Sequence, residues 1–420
     1  MKIPASIADV AGLLPDSRSR FSRVGLPLGQ TGSFDIVVEG ARIARIENES
    51  SQPPQALLLP PLVDLHLHAN RAFSIGSILP TSLDQAIQMS VATFRDHRAI
   101  DYARHAARLF TQALRHGTTR IRTHADVSRH IGLEALTGTL VAAEGFASTI
   151  DVEVVAFASS CVDPVDADAR ALLRDAVQRG ARLLGAAPAY CGDARATIDA
   201  LLDLAVELGV PVDLHVDEHL LAEQSVSGHL AAATIARGLV GMVTLSHGCA
   251  IAVLNDTQRR RVIEQLARAQ VTVIALPNTN LFLQDRHSTA ALRRGLAPLN
   301  QLLEGGVQVR VGSDNVQDAF FPYGKADLIE IAQTAAITGH LDEPRKILEA
   351  ICNGRSRIQV GDDASFVLVP GACFAELLSA PVEGRVVVKN GVMLNPRAKA
   401  TLIDQHSCHV GAQLPSKAIR

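Results

Sequence analysis

One unit repeats along the chain and limits what it can fold into. Eight short runs rich in β-formers recur at residues 59–68, 118–126, 151–159, 181–190, 210–218, 241–249, 271–278 and 307–315. They are mostly apolar on both faces, as strands buried between a core and covering helices must be. Ala-, Leu- and Arg-rich stretches of helical period lie between them, at 101–116, 130–147, 166–179, 193–208, 223–237, 255–269 and 289–304. Several of these stretches run into a glycine before the next strand: Gly117, Gly180, Gly209, Gly238 and Gly306. Glycine closes a helix readily because it takes left-handed dihedrals without a Cβ clash. Eight strand–helix units over about 250 residues is the usual size of a (β/α)8 barrel. A doubly wound open sheet is the alternative, but no GxGxxG or phosphate loop follows any run.

The flanks read differently. Residues 33–50 (SFDIVVEGARIARIENES) suggest strand, turn, strand. Residues 364–400 are again β-rich, with a hairpin signal at Asn390–Gly391. The expectation is an α/β protein: a catalytic (β/α)8 TIM barrel over 59–357 and a small β-sandwich domain assembled from both termini, 1–58 and 358–420.

Composition removes several classes of partner. With 43 acidic against 40 basic residues, the net charge of −3 gives no electrostatic reason to expect nucleic acid or an anionic membrane. Aromatic content is 4% with no Trp, so base-stacking platforms are not expected. Six Cys without a CxxC pair do not form a disulfide scaffold or zinc ribbon. The first twenty residues lack the apolar centre of a secretory signal, and no run is long enough to span a bilayer. These features point to a cytoplasmic enzyme acting on a small molecule, with a homo-oligomer left open.

The polar residues on the eight runs collect at one end. In a (β/α)8 barrel the site is built at the C-terminal strand ends. Here those ends carry His66 and His68, His124 and Asp126, Ser159, Tyr190, His215 and Glu218, His247, Asn278 and Asn280, and Asp314. Such groups are costly to bury unless paired or bound to metal. His66-x-His68 is the sharpest pattern, because residues i and i+2 on a strand share a face. Two neutral imidazoles on one face suit Zn²⁺ or Fe²⁺. His215 and Asp314 complete a set of three histidines and one carboxylate. The chain has no Lys between Lys2 and Lys325, so a carboxylated-lysine bridge between two metals is unavailable. One divalent ion is expected.

The segments VDLHLH, GTTRIRTHADVS, VDLHVDE, TLSHG, LPNTNLFLQDR, RRGLAPLNQLLEGGVQVRVGSDN and FFPYG resemble the amidohydrolase superfamily, and within it the cytosine deaminase branch. The resemblance spans most of the chain. It implies hydrolytic deamination of a nitrogen heterocycle (pyrimidine-, pterin- or triazine-like), with attack of activated water on an amidine-type carbon and release of ammonia or an alkylamine. It also implies His66, His68, His215 and Asp314 as metal ligands, Glu218 as proton shuttle and His247 as the strand-six catalytic histidine. These roles are chemically coherent: Asp314 can take a proton from the attacking water, His247 can orient its oxygen, and Glu218 can protonate the ring nitrogen and then the leaving amine.

The sequence departs from the cytosine-specific pattern at three places. Ser159 stands where a Gln reads the pyrimidine amide, Asn315 replaces a carboxylate, and Phe320 replaces a Trp. Ser159, Asn315 and Phe320, with His124, are the expected substrate contacts, and cytosine itself is expected to be a poor substrate. Ring-opening of a cyclic amide is the competing enzymatic reading, and a non-catalytic metal-binding protein the competing class. Histidines 97, 105, 116 and 130 read as solvent-facing, and Arg293–Arg294 as a solvated helix face.

Overall fold

The computed structural model describes residues 11–394 apart from 15–17, 29–31, 50–51, 77–78, 81, 160–161, 290–291 and 382. The ends of the expected two-part β domain (1–10 and 395–420) and the Ser160–Cys161 pair after the third run lie outside the described residues.

All eight runs form parallel strands of one sheet: β1 (Leu62–Leu67), β2 (Thr118–Val127), β3 (Asp151–Ala158), β4 (Leu183–Ala186), β5 (Val212–Val216), β6 (Val243–His247), β7 (Thr272–Ala275) and β8 (Gln308–Val311). They pair in sequence order. The ring closes where the chain leaves β8. Asp314 N donates to His66 O at 2.9 Å and His68 N donates to Asp314 O at 3.3 Å, and Leu67 bridges Asp314 in parallel register. Helices cover the outside, among them Ala99–Arg115, Glu134–Phe146, Ala167–Gln178, Ala194–Leu208, Ser227–Ala236 and Asp256–Arg268. Their ends follow local chemistry. Asp193 caps the fourth of these through Arg195 N and Ala196 N, and Gly209 ends it at φ 66°.

The 289–304 stretch departs from its helical reading. Among the described residues of that stretch, Leu299–Glu304 alone is helical. Gly295 sits at φ 64°, and Pro298 lacks the N–H to continue a helix from before it. Arg293 and Arg294 therefore lie on a loop. Arg293 pairs with Asp285 at 2.7 Å and donates to Leu220 O at 3.0 Å, which braces the turn after β5.

Strands from the two ends of the chain form a second, eight-stranded sheet. In it 56–59 lies between 366–370 and 18–25. The pairing is antiparallel except between 18–25 and 56–59. The expected hairpin is present: Asn390 and Gly391 both take positive φ, 51° and 79°, between strands 386–389 and 392–394. Side-chain alternation assigns the two faces. Leu57, Leu59, Val367 and Val369 join the barrel's core. Leu58, Phe366 and Leu368 join Phe21, Phe34 and Ile36 in a core of the sheet's own. Among the described residues no helix is long and apolar enough to cross a membrane.

Candidate metal and catalytic site

Each strand end delivers its side chain through local geometry. His66 and His68 alternate off the end of β1, and His215 stands on β5. His247, Asp217 and Asp314 take positive φ (77°, 58° and 56°) at strand ends, a conformation costly for residues with a Cβ. The turn after β5 is fixed by the Asp217 carboxylate, which accepts from Ser225 Oγ (2.6 Å), Ser227 Oγ (2.5 Å) and Val226 N (2.9 Å). That turn aims Glu218 at His247, with Oε1 3.6 Å from Nδ1.

The four residues read as metal ligands come together. His68 Nε2 lies 3.1 Å from His215 Nε2. Asp314 Oδ1 lies 3.4 Å from His68 Nε2 and 3.6 Å from His66 Nε2. His66 belongs to two triads of potential ligand atoms, each within 4.8 Å of one another: one with His68 and Asp314, the other with His124 and His215. His66 Nε2, His215 Nδ1, His247 Nε2 and Asp314 Oδ2 are buried without a hydrogen-bond partner. Unpaired donors and acceptors in a dry interior are costly unless a bound group meets them. The donor set of imidazole nitrogens and one carboxylate fits a divalent ion of the zinc or iron type.

Protonation states agree with that fit. Burial lowers the pKa of His68 and His215 well below the ordinary histidine value, and neighbouring positive charge lowers them further. Both are neutral, the form that binds metal. Burial favours a protonated Asp314, but the positive surroundings from His66, His247 and Arg71 outweigh it and keep the carboxylate below its usual range. Glu218 goes the other way. Burial, then the nearby Asp314 charge, raises it well above the usual value, which favours its protonated form. His247 is lowered to about 3 by burial. Asn280 Nδ2 donates to His247 Nδ1 at 3.0 Å, which leaves the ring proton on Nε2.

A second polar layer lies two residues below the first and was not legible as functional. Asp213 precedes His215, Arg122 precedes His124 and Asp64 precedes His66, all at the same two-residue spacing. Ser246 Oγ donates to Asp213 at 2.7 Å and sits 2.8 Å from His66 Nδ1. With its own proton given to Asp213, Ser246 accepts from His66 Nδ1–H, so the free lone pair of His66 is on Nε2, facing Asp314. Arg122 donates to Asp213 at 3.1 Å. Burial pushes Asp213 up, but His124 and Arg122 overcome it and hold the carboxylate well below its usual range.

A cavity of about 780 Å³ opens above this cluster, with Arg71, Asp126, Ser159, His215, Glu218 and Phe320 among its walls. Of the four residues read as substrate contacts, Ser159 and Phe320 line it. Asn315 instead donates to Asp318 at 2.7 Å, and His124 is wholly buried among the imidazoles. Arg71, three residues past His68, has no counterpart in the sequence reading. Its Nη2 lies 2.7 Å from His68 Nδ1. Two histidines read as solvent-facing serve packing instead. His116 is buried, and its Nδ1 donates to Ala326 O at 3.0 Å; His105 Nδ1 donates to Ala72 O at 2.6 Å.

Comparison with known proteins agrees with this architecture. The pterin deaminase of Rhizobium rhizogenes is 29% identical over 397 residues, 86% of this chain and 87% of its own length. The N-isopropylammelide isopropyl amidohydrolase of a Pseudomonas species is 28% identical over 313 residues, 71% and 74% of the two chains. The crystal structure of 5-methylcytosine deaminase from Klebsiella pneumoniae superposes with a TM-score of 0.81 at 22% identity, covering 96% of this chain and 99% of that one. That of N-isopropylammelide isopropylaminohydrolase from Burkholderia multivorans gives 0.74 at 28% identity, over 88% and 97%. The model of the amidohydrolase family matches residues 81–394, well over half of the sequence, and the chain belongs to that family.

Proposed function

We propose that this chain is a metal-dependent hydrolytic deaminase of a nitrogen heterocycle, its one divalent ion held by His66, His68, His215 and Asp314. The observation that carries this reading is the meeting of His66, His68, His215 and Asp314 with a buried glutamic acid, its pKa raised, at the foot of a cavity. The curated relatives, a pterin deaminase and an N-isopropylammelide hydrolase, support the substrate class. A divalent ion there lowers the pKa of a bound water towards neutrality.

The chain's own groups supply the proton traffic. Asp314 Oδ2 has no other partner and accepts a proton from the attacking water. His247, with its proton on Nε2, donates to the attacking oxygen and orients it. Glu218 gives its proton to the ring nitrogen, is recharged through Asp314 with the first water proton, and passes that to the departing amine. It is restored by the second water proton, which leaves the attacking oxygen as the carbonyl forms. The water oxygen bonds to the amidine carbon and the exocyclic C–N bond breaks. In the net reaction one proton is gained by the ring nitrogen and one by the released ammonia or alkylamine. Ser159, Phe320 and the walls around them hold the ring, and cytosine is a slow substrate. The four described cysteines are free thiols, which supports a cytoplasmic setting.

The test is ammonia release by purified protein from amino-substituted pteridines, pyrimidines and triazines, with metal analysis of the same sample. Ammonia with one equivalent of zinc or iron is expected. A new carboxylate without ammonia overturns the reading in favour of ring opening.

A further inference from the structure

Two side chains in the cavity wall each keep a buried polar atom without a hydrogen bond. Asp126 Oδ1 is buried without a hydrogen bond; a cation, Arg71 Nη1, stands 3.7 Å away. Arg71 Nε is buried and unpaired as well. Both side chains are held in place. Asn70 Nδ2 donates to the other Asp126 oxygen at 2.6 Å, and the Phe320 ring lies 4.6 Å from Arg71 Cζ. Both residues line the cavity that reaches His215 and Glu218. A fixed acceptor beside a fixed donor, each dry and unmet, destabilises the empty site and rewards a ligand that supplies both partners.

We propose that Arg71 and Asp126 read a lactam edge of the substrate, a ring C=O beside a ring N–H next to the amidine carbon, and that a second fused ring fills the outer cavity. This rests on the deaminase reading above and narrows it to bicyclic amino-oxo heterocycles. A guanidinium only donates and a carboxylate only accepts. A carbonyl beside an N–H satisfies both at once. An amino group beside a bare ring nitrogen sets donor against donor and acceptor against acceptor, and is rejected.

Arg71 Nη2 lies 2.7 Å from His68 Nδ1, which fixes the guanidinium at the edge of the histidine cluster. The size of the cavity argues for the second ring. An apolar space of about 150 Å³ already takes a benzene-sized ring, whereas this one measures about 780 Å³ and is walled by Leu83, Ile87, Phe94, Ile131 and Val162.

The experiment measures dissociation constants by calorimetry on metal-loaded protein, in the Glu218→Gln background where turnover is blocked. Three compounds are compared: pterin (2-amino-4-oxopteridine), 2,4-diaminopteridine and isocytosine (2-amino-4-oxopyrimidine). Pterin is expected to bind on the order of 100-fold more tightly than 2,4-diaminopteridine and roughly tenfold more tightly than isocytosine. Adding Arg71→Met or Asp126→Ala should shrink the preference between the two pteridines to less than about threefold. Equal binding of the two pteridines by the Glu218→Gln protein overturns the proposal without any further variant, and so does an equal loss for both in the additional variants. Ammonia release by wild-type protein is scored separately. A pterin preference without ammonia from any compound sinks the deaminase reading and keeps the recognition pair. Ammonia from both pteridines at equal rates does the reverse.

Discussion

Two layers of the same barrel, one pleat apart, treat buried polarity in opposite ways. In the lower layer each charge has a partner of its own. Asp64 accepts from Ser313 Oγ at 2.5 Å and Ser313 N at 3.2 Å, and Asp213 accepts from Arg122 and Ser246. In the upper layer His66 Nε2, both nitrogens of His124, His215 Nδ1, His247 Nε2 and Asp314 Oδ2 have none. Strand periodicity places both sets in the lumen, so exposure does not separate them. Hydrogen-bond satisfaction does. The lower layer is complete as folded, whereas the upper layer is complete only around something it binds.

The largest effects should come from the incomplete layer. His66→Ala should abolish metal binding and bring ammonia release to background, read by metal analysis and steady-state assay, while circular dichroism shows the barrel intact. Retained metal in this variant would remove His66 from the ligand set. Glu218→Gln sharpens the contrast from inside the same layer. It should lower kcat by about 10²- to 10⁴-fold with metal content unchanged, because it removes a proton donor and no ligand.

The complete layer should respond in stability first. Asp213→Asn leaves Arg122 short of its buried partner and loosens the Ser246–His66 alignment. Denaturant titration should show a loss of about 3 kcal/mol, and metal affinity should fall by roughly 10- to 100-fold. A loss of metal without a loss of stability would mean that the lower layer belongs functionally to the upper.

The smallest effect lies outside both layers. Burial raises Asp318 to about 6, against the pull of Arg71. Its folded-state value is above its unfolded one, so its contribution is fully present below about pH 4 and is lost as pH rises through about 6. Asp318→Asn should flatten the decline in melting temperature across that window, and an unchanged slope would place the titrating group elsewhere.

The barrel was legible because its strands are apolar on both faces and its helices run into glycines with positive φ: Gly117, Gly180, Gly209, Gly238 and Gly306 all have it. The proposed ligand residues were legible because His66-x-His68, weak by itself, falls at strand ends that also carry His215 and Asp314. The lower layer was not. Asp213, Arg122 and Asp64 are ordinary polar residues in sequence, and only strand pairing shows that they meet inside the ring. Asn315 stands next to Asp314, and its Nδ2 donates to Asp318, a pairing that only the fold reveals. Arg71 and Asp126 lie 55 positions apart, and no spacing rule joins a turn after β1 to the end of β2.

Asp314, the proposed ligand and proton acceptor, is also the latch of the ring, since its amide and carbonyl fasten the last strand to the first at His66 and His68. Loosening the latch and disarming the chemistry are therefore one event. Change at that junction is penalised twice, and new substrate preferences are free to arise only where the wall is not also the hinge-pin, at positions such as Ser159 and Arg71.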